Sequence, residues 1–309
     1  MRQLLALFLK ATVSASLLYF ALKGVNWGVI AERLNRVDAM WLAAIIVAAN
    51  LQVFLVACRW RQIADQCGVQ ISLATASRYN FIAAFFNQTL LSTVGGDAAR
   101  IWLMARQAGW KNSAYSVLLD RVIGVAALAL VVLVSLPWTL ELVRNPIGRV
   151  ALLLIGVGSM CGFIAFLALG VFRRPWLDRW WPALHLASAA AIALRLLGSK
   201  RNGSAVVALS MLIHLLTVIV AWGAAKALAV PFELMQALLL IPPVVLIAAI
   251  PISIAGWGVR ESAMMTAFAY AGLAETDGLI VSVLYGAAMF LTGAVGGAVW
   301  IANRTARPS

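Results

Sequence analysis

Two short stretches carry the residue types that could do chemistry. They are Thr93-Val94-Gly95-Gly96-Asp97-Ala98-Ala99-Arg100 and Ser253-Ile254-Ala255-Gly256-Trp257-Gly258-Val259-Arg260-Glu261. Each breaks an apolar run with glycines and then sets an acid close to an arginine. A third acid–base pair, Asp120-Arg121, lies inside another apolar run. A guanidinium offers paired donors in a planar fork that matches phosphate and carboxylate oxygens. An acid beside it can orient that fork, take up a proton or meet a cationic group. The glycines Gly95, Gly96, Gly256 and Gly258 let the backbone turn and leave donor groups uncommitted. Free N–H groups at a helix start attract anions.

Each of these residues also has a purely structural role open to it. Asp97 can be the N-cap of the short helix that follows, accepting backbone N–H bonds. Asp120 and Arg121 are helix neighbours that point apart, so each needs another partner, for which Arg100 or Arg260 would serve. An ion pair holding spans together is the alternative to a binding role. Asn87 and Gln88 can satisfy backbone groups in the first break. Lys10 can snorkel to the surface from the first apolar run. Gly158-x-x-x-Gly162 and Gly293-x-x-x-Gly297 read as close helix-packing faces.

The elements that must position these residues are membrane spans. The 309-residue chain is 63% hydrophobic and 11% charged, with mean hydropathy +0.95. A water-soluble domain does not need that much apolar sequence. Runs of about 20 apolar residues fit the hydrocarbon thickness. They are Leu4–Leu22, Ala39–Cys58, Ser113–Leu136, Val150–Phe172, Ser204–Leu228 and Gly278–Ala302. The start of the chain is read as a retained first span, since Lys10 interrupts it and no small-residue cleavage site follows. The net charge of +13 sits mostly in short connections. The positive-inside effect and attraction to anionic headgroups account for it, without nucleic acid as a partner. Cys58, Cys67 and Cys161, with His185 and His214, show no metal-ligand spacing. No cofactor is called for, and no phosphate-binding GxxxxGK[ST] loop is present.

Two further apolar segments, Tyr79–Val94 and Leu234–Ile250, run into the glycine breaks, the second after Pro242-Pro243 and with Pro251 following. If all eight segments cross, the Arg-rich connection Arg173–Gly203 and the cluster Arg100, Arg106, Lys111 fall outside, against the charge rule. If each broken segment enters and returns on one side, these cations gather inside, and Glu141, Glu275 and Asp277 fall outside with a minority of the basic residues, such as Arg33, Arg36, Arg144 and Arg149. The expected fold is therefore an all-α integral membrane protein. It has about six transmembrane helices and two re-entrant broken hairpins arranged as an inverted repeat. It forms a single transmembrane domain over 1–309, with halves of about 1–149 and 150–309. Both termini are expected in the cytoplasm. The connection Phe172–Gly203 reads as an interfacial amphipathic helix or connector. Trp41, Trp60, Trp138 and Trp300 read as interfacial anchors. Glycine-broken segments at matching positions in two halves point to a transport site at the midplane, where Asp97, Arg100, Asp120, Arg121, Arg260 and Glu261 are expected to converge.

At these residues the chain resembles the lysylphosphatidylglycerol synthase transmembrane region, also called the flippase-like domain family. The resemblance runs over about residues 5–303. It rests on Asn87-Gln88-Thr89 through Gly95-Gly96-Asp97 to Arg100, on Asp120-Arg121-x-x-Gly124, and on Pro251-Ile252-Ser253 through Gly256-x-Gly258-x-Arg260-Glu261. One departure is Asp120, where the family pattern more often has Glu. The resemblance implies a bacterial inner-membrane protein that moves or presents a phospholipid, glycolipid or related lipid with an anionic headgroup. The chain ends at Ser309, so no lysyl-transferase domain is expected and the protein is expected not to be an enzyme. Two other readings stay open. One is a membrane enzyme acting on a lipid phosphate or polyprenol donor through Asp97, Asp120 and a divalent metal. The other is a non-catalytic partner of a separate lipid synthase. A homo-oligomer is compatible with either.

Overall fold

The computed structural model describes residues 37–89, 94–172, 180–250 and 258–305, together with Thr12 and Gly28. The expected first span Leu4–Leu22 apart from Thr12, with its Lys10, the residues Arg173, Arg174 and Arg179 of the central connection, and Gly256 lie outside the described residues. What is described is helical, with no strand. The helices are α1 (Ala39–Gln66), α2 (Leu73–Thr89), α3 (Gly95–Leu142), α4 (Pro146–Val171), α5 (Trp181–Gly198), α6 (Lys200–Ala227), α7 (Leu234–Ala248), α8 (Val259–Tyr270) and α9 (Glu275–Thr305). Six of them, α1, α3, α4, α5, α6 and α9, are long and apolar enough to cross a membrane. The chain is an all-α, multi-pass membrane protein.

Local sequence sets the helix ends. Asp38 and Asn145 cap α1 and α4 by accepting from the first backbone N–H groups. α3 is continuous by hydrogen bonding but breaks at Gly109, whose φ of 76° is not helical. The break separates a short leg from the long span, where the apolar pattern changes between Gln107 and Ser113.

α1 and α6 run antiparallel, with the Asp38 N–H donating to the Ala227 carbonyl. Gln52 reaches Thr217 between them at 2.6 Å. This arrangement puts Arg61 and Arg201 at one end of the bundle, where they line a common cavity. The opposite end holds Asp38, Glu233 and Glu275. The first hairpin, α2 with the short leg of α3, starts and returns at the basic end. There Ala76, Met104 and Tyr115 share one core cluster with Cys67 and Val69. The second hairpin, α7 with α8, starts and returns at the acidic end, where the Gln236 amide donates to the Ala271 carbonyl. Their helices, of 17, 15 and 12 residues for α2, α7 and α8, fall short of a full crossing. Both hairpin tips lie outside the described residues.

The central connection contains a true helix. α5 is long enough to span by length and composition, yet its contacts among the described residues fall at the basic end. His185 bonds Tyr115 at 2.5 Å, Gly170 sits against the backbone of Ala190 and Ala191, and Leu196 and Leu197 meet Gly203. α5 therefore lies along that end of the bundle, which fits the connector reading better than a further crossing.

Two expectations about packing are corrected. Trp60 is not an interfacial anchor: it is fully buried, and its indole N–H donates to Ser116. Gly158 and Gly162 meet nothing within 4 Å, so among the described residues they form no packing face. Gly293 and Gly297 do, against Gln88, Ala84 and Phe85 of α2. Cys67, buried just after α1, has its thiol pushed up to about 12 by desolvation.

Candidate functional site

The first break is held by a close approach of two helices. The Gly96 N–H donates to Asn87 Oδ1 at 2.9 Å. A Cβ at Gly96 would collide with the Ala83 carbonyl and lie 2.7 Å from that same Asn87 oxygen. Only glycine lets α3 begin this near to α2, and Asn87 takes the capping role. The N-cap position itself is Val94, whose side chain does not cap the helix. The cap reading of Asp97 is therefore overturned: Asp97 sits in the first turn, and its carboxylate is drawn away toward arginines.

Those arginines form one chain of ion pairs. Asp97 Oδ1 accepts from Arg100 at 2.6 Å, and Asp97 Oδ2 accepts from Arg121 Nε. Asp120 Oδ2 accepts from Arg100 at 3.0 Å, and Asp120 Oδ1 accepts from Arg59 Nε at 2.9 Å. Asn80 accepts from Arg100, and Ser210 on α6 accepts from Arg59. The Arg100 guanidinium also lies 5.2 Å over the Trp60 ring. Four helices, α1, α2, α3 and α6, are thus tied through side chains that would each be costly at depth if unpaired. Asp120 and Arg121 point to different partners, as helix geometry requires, and the partner of Asp120 is Arg100 rather than Arg260.

This network lines a central cavity of about 370 Å³, whose other walls include His214, Gln88, Val245, Ala249 and Tyr285. Asp97, Arg100, Asp120 and Arg59 are buried. Arg121 differs, with 40% of its side chain exposed. Among the described residues no group of three His, Cys, Asp or Glu could hold a metal ion.

The second break is built differently. Gly258 has φ +85° and opens α8, a backbone state that glycine adopts without strain. Its N–H donates to Glu261 Oε2 at 2.6 Å, so here the acid does cap. The other oxygen of Glu261 accepts from Arg260 at 2.6 Å and from the Ser282 hydroxyl at 3.1 Å. Glu261 is fully buried, and the side chain of Arg260 is 13% exposed. The Arg260 guanidinium lies 5.6 Å over the Tyr285 ring and lines a smaller cavity of about 210 Å³. That cavity shares Val245, Ala249 and Tyr285 with the central one.

The six expected residues therefore fall into two adjoining groups. Asp97, Arg100, Asp120 and Arg121 meet in the central cavity. Arg260 lines the adjoining cavity beside Tyr285, paired with the buried Glu261. Sequence reasoning missed Arg59, which lies at the end of the apolar run Ala39–Cys58. It also missed Asn80, Ser210, Ser282 and Tyr285. The signal for Arg59 was its spacing: it lies two residues from Arg61, which puts the two side chains on opposite faces of a helix.

Set beside known proteins, the chain finds no match among curated ones. A family model does match. The Lysylphosphatidylglycerol synthase TM region covers residues 7–297, and the chain belongs to this family, as a membrane protein related to lipid handling.

Proposed function

We propose that the protein is a flippase-like transporter of an inner membrane, with both termini cytoplasmic. It moves or presents a lipid whose headgroup carries an anionic phosphate. The observation that carries this reading is the charge balance of the central cavity. Arg59, Arg100 and Arg121 stand against Asp97 and Asp120, which leaves one positive charge for a phosphodiester monoanion. Both oxygens of each aspartate are engaged by arginine. An ammonium headgroup would therefore find no uncommitted carboxylate on either of them.

In this reading Arg121 and Arg260 contact phosphate. Asp97, Arg100, Asp120 and Glu261 fix those guanidinium groups in place. The two hairpins, one from each half of about 1–149 and 150–309, enter from opposite ends and enclose a polar path for the headgroup. The acyl tails stay in lipid. The wall shared by the two cavities links the Arg121 region to the Arg260 region.

The test is reconstitution in liposomes that carry fluorescent phosphatidylglycerol. Faster transbilayer movement than in protein-free liposomes, with the labelled lipid recovered unaltered, supports transport. Chemically altered lipid would overturn it in favour of a membrane enzyme. Unaltered lipid that does not move would overturn autonomous transport in favour of a partner role for a separate synthase.

A further inference from the structure

α1 separates the central cavity from a second one. Arg59 faces the first, while Cys58, Arg61 and Asp65 face the second. Residues 58, 61 and 65 recur at helical spacing on the face opposite Arg59. The second cavity lies at the basic end, between the α1–α2 turn and the start of α6, where Gln70, Arg201 and Asn202 complete it. Its volume is about 810 Å³, against about 370 Å³ for the central cavity.

The electrostatics of the two cavities differ. Every arginine of the central network is paired with a carboxylate. Among the described residues neither Arg61 nor Arg201 forms an ion pair, although Asp65 lines the same cavity. Two guanidinium forks, brought from separate helices to one concave surface, offer donors that match phosphate oxygens. The amides of Gln70 and Asn202 add neutral donors. The basic end of the bundle is also where anionic headgroups collect.

We propose that this cavity is a second, phosphate-binding site, gripped by Arg61 and Arg201 and separate from the central one. It binds a phosphate group carried either by a lipid headgroup or by a soluble anion. It does not depend on the central cavity moving lipid. Asp65 opposes the ligand and limits its affinity.

Half-buried Cys58 reports occupancy, because it lines the cavity. Exposed Cys161 is replaced by serine, and buried Cys67 stays silent. The C161S protein in phosphatidylcholine nanodiscs is alkylated with N-ethylmaleimide. One arm adds phosphatidic acid to the nanodisc, and the other adds inorganic pyrophosphate to the buffer. Slower Cys58 alkylation in the phosphatidic acid arm alone assigns a lipid phosphate. Slower alkylation with pyrophosphate assigns a soluble anion. Arg61→Gln with Arg201→Gln should raise the ligand concentration needed by roughly tenfold or more, as expected for lost charge-assisted bonds. Asp65→Asn should lower it, a gain that a damaged fold would not produce. No protection in either arm, or protection unchanged in R61Q/R201Q, overturns the proposal.

Discussion

Arg100, on the short leg of the first hairpin, donates to Asp120, on the long span beyond the Gly109 break, at 3.0 Å. The bond ties a hairpin leg to the span that follows it. Asp120 is held on its other side by Arg59 of α1, and Arg100 on its other side by Asp97. The hairpin is therefore fixed by charge to the two spans that flank it. A buried ion pair adds little net stability by itself, because desolvation offsets attraction, but removing one partner leaves a buried charge unmatched.

Asp120→Ala should accordingly be among the most damaging single changes in the protein. It leaves both Arg59 and Arg100 short of a partner, and a loss of about 3–5 kcal/mol is expected. Asp120→Glu keeps the charge, in line with the family pattern, and should lose far less. Thermal melting of the purified variants in one detergent checks both. Equal melting temperatures for wild type and Asp120→Ala would remove the network from the account of stability.

Gly96→Ala should loosen the first hairpin. The added Cβ meets the Ala83 carbonyl and the Asn87 side chain, and backbone cannot yield as a flexible side chain can. A destabilisation of about 1–3 kcal/mol is expected, as for other overpacked positions. Increased hydrogen exchange in α2 and in the short leg of α3, with α6 unchanged, is the readout.

The orientation of the bundle can be read by cysteine labelling. Ser199 precedes α6 at the basic end, which the charge rule assigns to the cytoplasm. In a Cys58→Ser, Cys161→Ser background, Ser199→Cys should resist an impermeant maleimide in intact cells and react after permeabilisation. Cys67 should stay unlabelled in both states at pH 8. With its thiol pushed up to about 12, it is protonated there, and thiolate is the reactive form. Labelling of Ser199→Cys in intact cells would invert the topology.

The spans were legible because about 20 apolar residues have few other uses. The Gly109 break falls just before the expected start of the span at Ser113, so that boundary was legible. The lie of α5 was legible too, since it falls in the Arg-rich connection Arg173–Gly203, which read as an interfacial helix or connector. The pairing of Asp120 was not. Two arginines were available to it, and helix packing decides which one comes near. Arg59 was hidden because it sits beside Arg61 at a span end, where cations usually mark the surface; only the helical register separates their roles. Ser282 and Tyr285 were hidden inside an ordinary apolar span. Their polar atoms matter because α9 packs against α8, a relationship that no local pattern records.

The sharpest prediction separates support from binding at Arg260. Glu261 is fully buried, and both of its oxygens accept, one from Gly258 and the other from Arg260 and Ser282. Arg260→Ala alone strips the cation from a buried carboxylate, so it should destabilise by about 3 kcal/mol. A loss of lipid movement in that variant would then be ambiguous. Glu261→Gln removes the stranded charge while leaving an amide oxygen to accept from the Gly258 N–H. The double variant Arg260→Ala, Glu261→Gln should therefore melt close to wild type. If Arg260 grips phosphate, the double variant still fails to move labelled phosphatidylglycerol in liposomes. Arg260→Lys, with Glu261 intact, keeps the charge but offers only one ammonium, so it should move lipid at an intermediate rate. A double variant that is stable and moves lipid at the wild-type rate would leave Arg260 with a structural role only, and the phosphate contact would rest on Arg121.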